Sequence, residues 1–192
     1  MARINTADAG GISVCAFLDM TAWSEGTASG LHPMTVNDGY DVIVTGSDGP
    51  EIFDDYSAHP FANGRPPKHV SGTLYSSASG RYQHMRVHWV HYRDQLGLPD
   101  FGPVSQDRWA IQLIRERRAL ADIQSGRIED AIRKCSNIWA SFAGAGYGQH
   151  EHSMDTLLQV FEAKLQTLRR PEEIVPMPKH WLEEVVTIRR DS

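Results

Sequence analysis

Apolar and polar positions along the chain predict mostly helices, with one small sheet near the front. At about 100° per residue, Val14, Leu18 and Glu25 fall within about 20° of one helical direction, with Thr21 and Ala22 beside them. This places a helix from near residue 8 or 12 up to Glu25, its beginning weakened by Gly10 and Gly11. Gly26 follows, the residue type that most readily adopts the left-handed conformation ending a helix. Glu25 therefore extends an apolar stripe and sits in the last turn. Partial burial and the negative end of the helix dipole both disfavour its anion, so its pKa is expected to rise toward the range of a general acid.

Residues 27–37 read as loop. The β-branched run 40–45, a turn at Ser47-Asp48-Gly49-Pro50 and a second run over 51–56 predict a β-hairpin, the only sheet the pattern supports. From 57 to 79 there is no periodicity but several prolines and glycines, a length of loop usually tied to function or motion. Helical patterns then cover 81–95, 106–118 and 128–135, with a short turn near Ala121. The glycine-spaced stretch 143–148 leads to a last helix, 154–168, whose Leu157, Leu158, Phe161 and Leu165 keep the 3.6-residue period. The tail beyond it holds Pro176, Pro178 and Trp181.

Length and charge narrow the class. A chain of 192 residues with 41% hydrophobic content can bury one full core, and the expected division is one domain over 1–165 with an extension of unknown role over 166–192. A net charge of -5 argues against nucleic acid as a partner. Cys15 and Cys135 are too few and too distant for a disulfide framework and are read as free core thiols. Residues 1–8 lack a cationic start with an apolar run, and Asp19 interrupts the run 12–20, so neither a signal peptide nor a membrane span is expected. The protein is therefore expected to accumulate in the cytoplasm that made it. With no heptad or evident interface, a monomer is the expectation.

Five segments carry a resemblance. The run Ala16 to Met20 continuing into Ala22-Trp23-Ser24-Glu25-Gly26-Thr27, then Gly39 to Val44, Gly80-Arg81-Tyr82-Gln83, Cys135 to Ser141, and Gly144 to Gln149, in that order, resemble the lambda endolysin family. The likeness covers roughly residues 16–165. That family consists of lysozyme-like lytic transglycosylases. The resemblance therefore implies an α+β, lysozyme-like fold, mostly helical, with a small antiparallel hairpin lobe and a cleft between lobes. It also implies peptidoglycan glycan strands as substrate and a holin as the indirect partner that gives access to the wall.

Glycosidic cleavage needs an acid, and then either a second carboxylate or an internal nucleophile. Glu25 is the acid. Asp38, Asp41, Asp54 and Asp55 lie in or near the hairpin, and none stands out as its partner. A lytic transglycosylase needs none, because the C6 hydroxyl of the N-acetylmuramic acid attacks its own C1. By the resemblance, Gln83 hydrogen-bonds the sugar and Tyr82 packs near it, although Ser79 could also simply cap a helix here. Tyr40, Asp41, Tyr56, Asn137, Tyr147 and Gln149 complete the expected substrate-binding set. Two other readings stay open: a hydrolysing lysozyme using a hairpin aspartate, and a non-catalytic wall-binding phage protein. His84, His88 and His91 fall at i, i+4 and i+7 of the predicted 81–95 helix. No Glu stands nearby to complete a site, so they are read as a surface-facing or partly packed stripe, with His150 and His152 read the same way. No metal and no cofactor are expected.

Overall fold

A computed structural model describes residues 1–146, 148 and 150–169. A first turn of helix, α1 (Thr6–Ala9), begins at Asn5, whose side chain caps it by accepting from the Asp8 N–H. Then comes α2 (Ile12–Ser24), in which every residue from Val14 to Ser24 is buried. The expected stripe is therefore absent, because α2 is a central helix, covered on all sides and packed chiefly against the last helix. Glu25 owes its environment to its place at the end of that helix.

The chain then builds two small sheets. β1 (Val42–Gly46) and β2 (Gly49–Ile52) form the predicted hairpin, with Val42 opposite Ile52, Ile43 opposite Glu51, and a bulge before Gly46. Gly49 turns the chain with φ +97, a left-handed value that suits glycine. The stretch expected to be loop contains a second hairpin, β3 (Lys68–Ser71) and β4 (Leu74–Ser76). Lys68 anchors it to the first, its ammonium lying 2.9 Å from both Asp48 and Glu51.

Two short strands follow, β5 (Ala78–Ser79) and β6 (His84–Met85), which extend the first sheet in the order β2-β1-β5-β6. Between them Gly80 to Gln83 makes a tight turn where the pattern predicted helix. Gln106 imposes it: its Oε1 accepts from the Arg81 N–H at 2.9 Å, and a Cβ at position 80 would lie 2.1 Å from that same oxygen. Gly80 has φ +77 and Gln83 has φ +51, a costly conformation for a residue with a Cβ.

Helices complete the molecule. After a 3-10 turn at Arg86–His88 come α3 (Trp89–Leu96), α4 (Pro103–Glu116), α5 (Leu120–Gln124), α6 (Ile128–Cys135) and α7 (Met154–Arg169). The expected stripe of histidines does not form. His84 is on β6, buried and stacked on Trp109 with centroids 4.1 Å apart, while His88 and His91 follow on a separate helical segment. The main core surrounds α2 and includes α7, and a second aromatic cluster joins Trp89, Tyr92, Phe101 and Trp109. Cys15 and Cys135 are both free and buried. Helix α7 runs through the expected boundary at 165, and residues 170–192 of the extension lie outside the described residues.

Candidate active site

Glu25 caps the C-terminal end of α2, its backbone N–H reaching the Thr21 carbonyl at 3.0 Å, and Gly26 then turns the chain at φ +67. The geometry is that of a glycine-terminated helix. The side chain opens on a pocket of about 190 Å³ lined by Gly26, Thr27, His32, Val42, Val44, Thr45 and Gln83. One wall is thus the hairpin, and the other is the helix end with the Gly80–Gln83 turn.

Glu25 is half-buried, and the protein packed around its carboxyl raises the pKa to about 7. The Ser141 hydroxyl, 2.6 Å from Glu25 Oε1, pulls in the opposite direction. Burial prevails. A carboxyl near this value is protonated often enough to donate and ionised readily enough to take the proton back.

The four hairpin aspartates are committed elsewhere or exposed, and none lines the Glu25 pocket. Asp38 pairs with Arg81 at 2.9 Å and accepts the Ser29 N–H, which holds its carboxyl well below the usual range. Asp41 is buried, accepting from the Val36 and Asn37 amides at 2.8 and 3.2 Å and from the Thr35 hydroxyl. Asp55 accepts the Ser57 N–H at 2.8 Å, and Asp54 is exposed.

Of the expected sugar contacts, Gln83 alone shares the pocket with Glu25. Asn137 lies with Gln83 on an adjoining pocket of about 220 Å³ that also includes His88, Tyr92 and Arg117. Gln83 thus stands between two hollows. Tyr56 is half-buried, its hydroxyl accepting from Asn37 Nδ2 at 2.8 Å.

Three of the expected sugar contacts are tied to partners inside the protein, and of these Tyr82 also lines the adjoining pocket with Gln83 and Asn137. Tyr40 and Tyr82 are buried at 0% and 1% exposure, and both hydroxyls donate to Asp107 Oδ1, at 2.7 and 2.5 Å. A phenol in a core must find an acceptor, and the buried Asp107 supplies it. Asp41, the third, holds the loop before β1 by accepting the Val36 and Asn37 amides. Tyr147 and Gln149 lie outside the described residues.

Beneath the site is a polar network that the pattern of residues did not reveal. Arg81, 1% exposed, meets Asp19 at 2.9 Å and lies 5.2 Å from the Tyr40 ring centroid. Asp107 also accepts the Arg3 and Ile4 amides at 2.7 Å. Thr27 Oγ1 donates to the Arg81 carbonyl at 2.6 Å, and Trp139 Nε1 donates to the Tyr82 carbonyl at 3.1 Å. The Gly80–Gln83 turn is therefore held from three sides. Asp19, a charge inside an apolar run, was a visible signal of this network; Ser141 closed one of the resembling segments, but no contact with Glu25 was expected of it.

A small antiparallel sheet facing a helical body, with a near-neutral carboxyl at the end of the central helix, defines an α+β, lysozyme-like protein. The Endolysin family model matches residues 15–168. The endolysin of Escherichia phage P2 is 64% identical over 151 residues, 78% of this chain and 90% of that one, and the endolysin of Escherichia phage lambda is 52% identical over 154 residues, 80% and 92%. The structure of bacteriophage lambda lysozyme complexed with a chitohexasaccharide superposes with a TM-score of 0.72 at 49% identity, covering 85% of this chain and 97% of that one. The chain belongs to the endolysin family, peptidoglycan-cleaving enzymes of the lysozyme fold.

Proposed function

We propose that this endolysin cleaves the β-1,4 bond between N-acetylmuramic acid and N-acetylglucosamine by lytic transglycosylation. The observation that carries the reading is the isolation of Glu25: its carboxyl lines the pocket while all four hairpin aspartates are absent from the lining. In the first step protonated Glu25 gives its proton to the glycosidic oxygen, the C1–O bond breaks, and N-acetylglucosamine leaves with that oxygen as its hydroxyl. The C6 hydroxyl of the same muramic acid then bonds to C1, and its proton returns to Glu25. No water is consumed, and the product is a 1,6-anhydro sugar.

Gln83, Asn137 and Tyr56 are the described side chains assigned to the sugar, with Tyr147 and Gln149 added through the family likeness. Tyr40, Tyr82 and Asp41 serve by holding the turn and loop that carry those contacts. A glycan ligand agrees with the chitohexasaccharide bound by bacteriophage lambda lysozyme. No helix among the described residues is long and apolar enough to cross a membrane. Through the family likeness, access to the wall is assigned to a separate holin, and the enzyme is assigned to act as a monomer.

Mass spectrometry of digested peptidoglycan tests the reaction type. Anhydro-muramic ends are expected; an exclusively hydrated set of products would establish a hydrolase and overturn the proposal.

A further inference from the structure

Ser141 lies just before the glycine-spaced segment and makes the one hydroxyl contact to the acid among the described residues. Its Oγ is 2.6 Å from Glu25 Oε1 and 3.1 Å from Ser24 Oγ. Ser24 in turn donates its own hydrogen to the Thr21 carbonyl at 2.9 Å, so toward Ser141 it can only accept. Ser141 thus has one hydrogen and two acceptors. One acceptor changes charge during the reaction and the other does not.

We infer that Ser141, with Ser24 behind it, is the positioning residue that lets one carboxyl act in turn as acid and base, its single hydroxyl hydrogen following the charge on Glu25. When Glu25 has given up its proton, the hydrogen points at the ionised Oε1, the stronger acceptor. When Glu25 is protonated, the pull of Oε1 weakens and the hydrogen turns to Ser24. Oε1 is thereby kept for Ser141, and Oε2 is the oxygen that carries the proton to the sugar and receives it back. This rests on the proposed two-step use of Glu25.

The arrangement is held in place by the segment on either side. The Ser141 carbonyl accepts the His152 N–H at 2.9 Å, the His152 ring lies 4.6 Å from that of Trp23, and its Nε2 is 3.3 Å from the Ser24 carbonyl. Within the loop so closed, Glu151 accepts the Gly144 and Gly146 amides at 2.9 and 2.6 Å. Among the described residues, titratable neighbours of Glu25 are few. His32, in the loop after α2, lines the same pocket, and His152 stands behind Ser24 with its pKa lowered to about 4 by burial. The hairpin wall presents Val42, Val44 and Thr45 and the turn presents Gln83, all uncharged. On α7, Lys164 faces Asp19, Asp38 and Arg81.

The test is the pH dependence of kcat and kcat/KM on peptidoglycan for Ser141→Ala, Ser24→Ala and the double variant, each also in a His32→Gln background. Ser141→Ala removes the donor that favours the ionised form, so the alkaline limb moves to higher pH and kcat falls about ten- to hundredfold with KM little changed. Ser24→Ala leaves the hydrogen permanently on Glu25, so the limb moves to lower pH. In the double variant the Ser24 change adds nothing. Ser141→Thr, which keeps the hydroxyl, restores most of kcat.

Shifts of the same sign in the two single variants, or no shift in either, overturn the inference. If Ser141→Ala fails to fold, the downward shift in Ser24→Ala decides alone. Product analysis of the unchanged enzyme is independent of these shifts, so failure of the transglycosylase reading is seen separately.

Discussion

In the middle of α2 the Asp19 carboxylate meets Arg81 at 2.9 Å and the Ala2 amide at 2.7 Å, and it is 1% exposed. At the end of the same helix Glu25 has, among the described residues, one hydroxyl donor and an open pocket. The two acids differ in what has been supplied to the anion. Asp19 faces a full guanidinium in a buried ion pair. The pocket lining gives Glu25 no Lys or Arg, so burial favours its neutral form. An acid available for proton transfer is thus made by withholding partners.

Three changes break or sharpen that contrast, from the largest effect to the smallest. Glu25→Gln removes the proton carrier and is expected to lower lysis of permeabilised cells about a thousandfold or more, with the circular dichroism spectrum unchanged. Retained lysis would make the protein a wall binder. Arg81→Met leaves Asp19 and Asp38 without their buried cation and is expected to cost about 3–5 kcal/mol in denaturant unfolding. A loss below about 1 kcal/mol would mean that the network is not the keystone of the turn.

The third concerns pH. Glu25 has a pKa raised to about 7, so the native state holds its proton more tightly than the unfolded chain does. Its stabilising effect is fully present below the unfolded value, near 4.5, and is lost as pH rises through about 7. Activity needs the protonated acid for its first step and should fall over the same upper range. Glu25→Gln is therefore expected to be more stable than the natural enzyme at pH 8 by about 1–3 kcal/mol, and equal to it near pH 4. Thermal unfolding at the two pH values checks this, and an equal difference at both would remove burial of the charge as the cause.

The long helices, the first hairpin and the end of α2 were legible because their signals lie within a few residues of one another. Gly26 after Glu25 is enough to end a helix, Asp48-Gly49 is enough to turn a strand, and Leu157, Phe161 and Leu165 alone mark the buried face of α7. The second hairpin was hidden because its strands are short and its anchor, Lys68, pairs with acids of the first hairpin. The turn over Gly80 to Gln83 misled for a related reason. Its local pattern suits a helix, but a glutamine on α4 occupies the space beside Gly80 and takes the Arg81 amide.

The site divides in the same way. From residues alone came the acid, its place at a helix end, the direction of its pKa and the family to which its surroundings belong. Tertiary structure decided that the helix is central rather than striped, that Tyr40 and Tyr82 turn inward to Asp107, and that Ser141 meets Glu25. The physical reason is range. Helix periods, caps and left-handed glycines act along the chain, whereas a buried hydroxyl or carboxylate is governed by whichever partner the fold brings to it, and that partner can lie more than a hundred residues away, as Ser141 does from Glu25.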